Sequence, residues 1–192
     1  MNAATLWMVR SAQGVHYHTF YARGMVAIGW RHIAAAACAG AARDVLAANY
    51  RAALPEAKAG SIRAGVAQVW RFVHEMQIGD GVLTYDPVSR HYRCGMIGGA
   101  AWHDPAGEET AMCIVRPVVW QHGEIRRDVL SATAQKRLNA MLTVFGAASC
   151  GTGGVCTGRR CLTAPTTGRQ SVWRRLLSWT DVAVAQARFG SQ

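Results

Sequence analysis

No stretch of this 192-residue chain approaches the ~20 consecutive apolar residues that a spanning helix needs, so a membrane-embedded protein is not expected. The opening residues, "MNAATLWMVR", contain no basic segment followed by an apolar stretch. No secretory leader is therefore expected, and a reducing, cytoplasmic setting follows. The chain also lacks the two-residue spacing of a zinc knuckle: its six cysteines are scattered, and Cys150, Cys156 and Cys161 lie five and four residues apart. Small buried or loop thiols are expected, and no metal. Acidic residues are few, with 11 Asp+Glu against 21 Lys+Arg and a formal net charge of +10. The excess is shared, since residues 1 to 145 hold 15 Lys+Arg against 10 Asp+Glu and residues 146 to 192 hold 6 against 1. Such a balance favours polyanions, nucleic acid before acidic membrane surfaces.

Catalytic signatures are missing as well. No Ser/His/Asp nucleophile context is visible. "GTGGVCTG" lacks the Gly-Lys-Ser/Thr ending of a phosphate-cradling loop. His16 and His18 alternate without a close ligand pair, and His74 falls within a helix. Asp44, Glu56 and Lys58 imitate the set that holds a divalent metal in many nucleases. That chemistry wants Glu and Lys on a buried strand, whereas here they follow Pro55 between two helices. A non-enzymatic protein without cofactor is the expectation.

What the chain does have is a globular composition, 51% apolar and 17% charged, enough for one core. "TLWMVRS" reads as an opening strand and "GVHYHTFYARG" as a short helical segment ended by Gly24. "MVAIGW" reads as a strand whose Val26, Ile28 and Trp30 share one face. "AAAACAGAARDVLAANYRAALP" reads as a helix stopped by Pro55. A second helix starts from Ser61 as N-cap, with Ile62, Val66, Val69, Val73 and Met76 on one stripe. Strands follow in "IGDGVLTYD", "HYRCGMIGGAAWH" and "AMCIVRPVVW", then partly helical "EIRRDVLSATAQKRLNAM" and a closing strand "LTVF". The pattern predicts an α+β fold, a curved mixed β-sheet or partial barrel flanked by helices. Beyond Phe145 periodicity stops. Residues 147–192 are expected to form a basic Gly/Thr/Cys-rich tail, mostly disordered, with a terminal helix as an option.

The remaining signal is aromatic and basic: Trp7, Trp30, Trp70, Tyr85, Tyr92, Trp102 and Trp120 interspersed with arginines. A base reader sandwiches an extruded base between π-faces, tests its edge with hydrogen bonds and holds the flanking phosphates with Arg or Lys. For any single aromatic, core packing is the commoner use, above all for Trp70 among Val66, Val69 and Val73.

The ordered blocks "LWMVR", "FYARGMVAIGW", "LPEAKAGSI", "QVWRFVHEMQIGDGVLTYDPVSRHYRCGMI", "VRPVVW", "IRRDVLS" and "LTVF" closely resemble the amino-terminal domain of Mrr-type modification-dependent restriction endonucleases. That domain looks like a member of the PUA-like group, related to EVE and YTH domains. The resemblance covers roughly residues 4 to 146 and implies a base-reading domain over 1–146 without the nuclease half. It also implies a pocket with Trp30 as wall, Trp7 and Tyr85 as second walls, Gly29 giving room, and Arg10 and Gln68 as polar contacts. Arg71, Arg90, Arg93, Arg126 and Arg127 are the expected phosphate contacts. The ligand so implied is duplex DNA with a modified, above all methylated, cytosine. The alternatives are an RNA-binding module or a regulatory subunit that recruits a separate nuclease. The chain departs from these relatives at Ala64, where they often have asparagine, and at Ala101, where they have an aromatic.

Overall fold

A computed structural model describes residues 5–140 and 142–149; the Gly-rich segment, the last three cysteines and residues 150–192 of the expected tail lie outside them, whereas residues 147–149 of that tail continue the closing strand. Alternation along the strands builds the sheet and gives it two apolar faces. In β1 (Thr5–Val9) Trp7 and Val9 join one buried cluster and Met8 the other. β3 (Gly81–Asp86) repeats this, with Val82 on the first side and Leu83 and Tyr85 on the second. β1 and β3 pair in parallel, with Trp7 opposite Val82. A parallel pair cannot be closed by a hairpin and needs a long crossover. Here the crossover carries most of the helical structure: α1 (Tyr17–Arg23), then β2 (Met25–Ile28), α2 (Arg31–Cys38), α3 (Arg43–Ala53) and α4 (Ala59–Trp70).

The other pairings are antiparallel. β4 (His91–Ile97) pairs with β3, β6 (Ile114–Trp120) with β4 and β2, and β8 (Val144–Ser149) with β1, giving the order β2-β6-β4-β3-β1-β8. Short β5 (Trp102–His103) adds to β6 and β7 (Ile125–Arg126) to β4. The result is a mixed α+β fold in which a curled half-barrel sheet is flanked by helices. Leu46, Ile62, Val66 and Val69 of α3 and α4 close the larger core over Ile28, Ile97 and Ile114. Each such side chain contributes roughly 1.5–3 kcal/mol on burial. Leu130, Leu138 and Phe145 cover the opposite face around α5 (Ala132–Arg137).

Three local expectations need correction. The "MVAIGW" strand stops at Ile28, and Trp30 leaves the β region for φ 69°, ψ 48° at the start of α2. It therefore does not share a strand face with Val26 and Ile28. The long alanine-rich helix is two helices, α2 and α3, broken at Gly40 with φ 85°. Glycine alone adopts that conformation without steric cost, so the chain turns there. The second helix begins at Ala59 rather than at a Ser61 cap, with extended Lys58 before it. α1, by contrast, ends as expected: Gly24 is left-handed at φ 61° and its N–H reaches the carbonyls of Phe20 and Tyr21. Among the described residues no helix is long and apolar enough to cross a membrane.

Candidate functional site

An open cleft of about 430 Å³ lies where β2 gives way to α2. Its wall starts with Gly29, which approaches Ala111 so closely that an added Cβ would lie 3.3 Å from the Ala111 methyl. Trp30 comes next, held in the left-handed region, where a bulky side chain is costly. Ala12 (φ 46°) and Ala111 (φ 57°) line the same cleft. Among the described residues, three of the five non-glycine residues with positive φ thus converge on one concavity. Such strain persists where surrounding structure over-determines the backbone, and it clusters at ligand sites.

Trp30 is half-buried, its indole edge lying against Gly65 of α4. A Cβ at Gly65 would stand 2.7 Å from Trp30 Nε1 and 2.7 Å from Tyr50 Cε2. The bare helix backbone is what lets the two rings seat side by side. Tyr50 in turn meets His32 edge-on, ring centroids 4.3 Å apart. Burial, and then the neighbouring Arg31 charge, hold the His32 pKa below its usual value, so the imidazole is neutral at pH 7. Its Nε2 is buried without a hydrogen-bond partner. The cleft therefore offers planar apolar surface from Trp30, Tyr50 and His32.

Its polar groups are divided by sign. On the α2 side stand exposed Arg31 and a helix start that no side chain caps. The first N–H groups of a helix lack intrahelical acceptors and favour anions. The loop after β5 contributes Glu108 and Glu109. Glu108 Oε1 lies 3.2 Å from His103 Nε2. Among the described residues Glu109 makes no hydrogen bond or ion pair. A molecule with an anionic end and a donor-bearing planar end matches that division.

The sequence-derived residues separate on this geometry. Trp30 and Gly29 line the cleft. Trp7 does not, because it is only 7% exposed and its Nε1–H donates to buried Asp80 Oδ2 at 2.8 Å. Tyr85 is on the opposite face of the sheet, packed on Tyr92 with ring centroids 4.5 Å apart. Tyr50 and His32 occupy the positions beside Trp30 that Trp7 and Tyr85 were expected to fill. Arg10 points its guanidinium at the Leu138 and Ala140 carbonyls. Gln68 is buried, its Oε1 accepting from Thr143 N at 2.7 Å and Val144 N at 3.1 Å. Since Thr143 lines the cleft, Gln68 supports that wall from behind and does not enter it.

Most of the expected phosphate contacts already hold partners. Arg90 pairs with Asp128 at 2.7 Å, and Arg126 lies 3.7 Å from the same carboxylate. Arg93 binds Glu124 and stacks on Tyr21 at 3.6 Å. Arg127 donates to Tyr92 Oη and Asn139 Oδ1. Arg71 is half-buried just after α4. In contrast, the side chains of exposed Arg51, Lys58 and Arg63 make no hydrogen bond or ion pair among the described residues. They belong to the α3–α4 hairpin that supplies Tyr50 and Gly65 to the cleft; Glu56 is the acid among them, and like Asp44 it is exposed and off any strand. Among the described residues no group of three or more His, Cys, Asp or Glu could hold a metal ion.

Arg31, His32, Tyr50, Gly65, Glu108 and Glu109 were missed from sequence. Only Gly65 carried a usable signal, because a glycine inside a helix costs ~1 kcal/mol relative to alanine and then needs a packing reason.

The model of a family described as Domain of unknown function (DUF8426) matches residues 7–145, and the chain belongs to that family. No curated protein matches it.

Proposed function

We propose that this member of the DUF8426 family is a non-catalytic nucleic-acid reader of PUA-like fold, related to EVE and YTH domains, which takes one extruded base of duplex DNA into the Trp30 cleft. The base in question is a modified, methylated cytosine, and the setting is restriction or defence in the cytoplasm, with cleavage left to a separate nuclease. The observation that carries this reading is the cleft itself: a half-buried tryptophan in a strained backbone, beside Tyr50 and His32, open to solvent and of ligand size. A flipped base gives up its stacking in the duplex and regains it on such π-faces.

Phosphates are held by the unpaired cations of the same side, Arg31, Arg51, Lys58 and Arg63. Arg90, Arg93, Arg126 and Arg127 contribute less, since each must first release an internal partner. Salt dependence distinguishes the two sets. Each phosphate contact adds ~0.9 to the slope of log K against log salt, so Arg51→Ala and Arg63→Ala should flatten that slope alike for modified and unmodified duplexes.

The deciding experiment is a titration with duplexes that differ only in one methylated cytosine. Preference for the methylated duplex supports base reading. Equal affinity with the same salt slope would leave phosphate adhesion alone.

A further inference from the structure

The carboxylates that line the cleft together with Arg31 are unexpected in so basic a protein, and they carry information about the ligand. An ionised carboxylate only accepts hydrogen bonds. Glu108 already has His103 at one oxygen, whereas Glu109, exposed on the next residue, has no partner among the described residues. Both line the cleft with Trp30. Consider a ring lying on Trp30 whose polar edge is turned to this loop. That edge meets an acceptor, so it must donate.

We infer that the cleft selects bases bearing an exocyclic amino group, and that Glu109 is the specificity-determining residue that accepts from it. This rests on the base-reading assignment above. Cytosine and its 5-methyl derivative present N4–H2 at that edge. Thymine has the same ring and the same methyl group but presents O4, an acceptor facing an acceptor. The methyl group alone cannot separate these two bases, so a pocket built only from π-faces would bind them equally. Glu109 gives the site a means of telling them apart that Trp30 lacks.

The test uses the full chain and three duplexes in which the probed position faces an abasic site, so that no lost base pair biases extrusion. The probed position holds 5-methylcytosine, thymine or a second abasic site. The expected result is 5-methylcytosine bound about tenfold more tightly than thymine, as for one good base-edge contact. Glu109→Gln, whose amide both donates and accepts, should bring the two within about twofold while keeping both above the abasic duplex. Glu109 is exposed, so a normal melting curve for the variant is expected. If the wild type binds 5-methylcytosine and thymine equally, and both better than the abasic duplex, amine selection is wrong while base reading survives. If all three bind equally, base reading fails too. Discrimination that persists in Glu109→Gln removes Glu109 from the role.

Discussion

Trp7 and Trp30 belong to two regions that composition treats alike and the structure uses oppositely. Around Trp7 every polar handle has a partner: the indole N–H donates to Asp80, whose carboxylate also accepts from the backbone N–H groups of Thr5 and Gln77. Around Trp30 the polar groups are left over. Trp30 Nε1 and Glu109 have no hydrogen bond among the described residues, and His32 Nε2 is buried without a partner. A buried polar group that is fully satisfied rigidifies a core, whereas a cluster of unsatisfied groups beside an open concavity suits a ligand. Which region an aromatic belongs to is decided by what its polar edge touches, and not by how many arginines lie near it in sequence.

The sharpest way to break this contrast is to remove each ring. Trp7→Ala should destabilise the fold by about 3–5 kcal/mol, the range for a large aromatic lost from a packed core, and it strips a donor from Asp80. Denaturant unfolding measures it; a loss comparable to that of a surface substitution would place Trp7 outside the core. Trp30→Ala should leave the fold largely intact while lowering preference for the methylated base by roughly 1–3 kcal/mol, as for other base–aromatic contacts. Unchanged preference in the folded variant would take Trp30 out of the site.

A third test uses pH. His32 and His74 both have pKa values depressed chiefly by burial. The unfolded chain therefore binds protons more readily than the folded one as pH falls through the ordinary histidine value of ~6.5. Stability is full above that pH and falls below it, with the loss complete once the depressed folded values are passed. Thermal melts from pH 7.5 to pH 5.5 should show this decline, and His32→Gln with His74→Gln should flatten it. A wild-type melting temperature that does not fall in that window would contradict the assigned burial effect.

The smallest effect concerns the other face. Arg90 and Asp128 are both more than half exposed, with side chains at 58% and 52%. Their pair should contribute only ~0–1 kcal/mol, so Arg90→Ala should scarcely move stability. It should also change the salt slope of DNA binding less than Arg63→Ala does; the reverse order would return the phosphate track to the β4–β7 face.

The curled mixed sheet was legible because strands such as "GVLTYD" alternate between two buried faces, and period-two patterning needs no tertiary information. Trp30 was legible as a residue of interest yet not in its conformation. Nothing in "AIGW" announces a left-handed tryptophan, and the segments beside it, Ala111 against Gly29 and Gly65 against the indole, lie far off in the chain. Tyr50 read as part of a helix, and Glu108 and Glu109 fell between two strands. The glutamates come near Trp30 because Ile28 of β2 pairs with Ile114 of β6, and Tyr50 does so because α3 packs its ring on His32 and Gly65; both contacts join residues far apart in the chain. The arginines of the β4–β7 region were overcounted for the same reason: their acidic partners Glu124 and Asp128 lie across strands and turns.

If the cleft is the base site, Trp30 and not Trp7 meets the ligand. Titrating ¹⁵N-labelled protein with a duplex carrying one 5-methylcytosine and following the indole N–H resonances tests it directly. The Trp30 resonance is expected to move or broaden while that of Trp7, bonded to Asp80, stays in place. A stationary Trp30 signal at saturating DNA would contradict it.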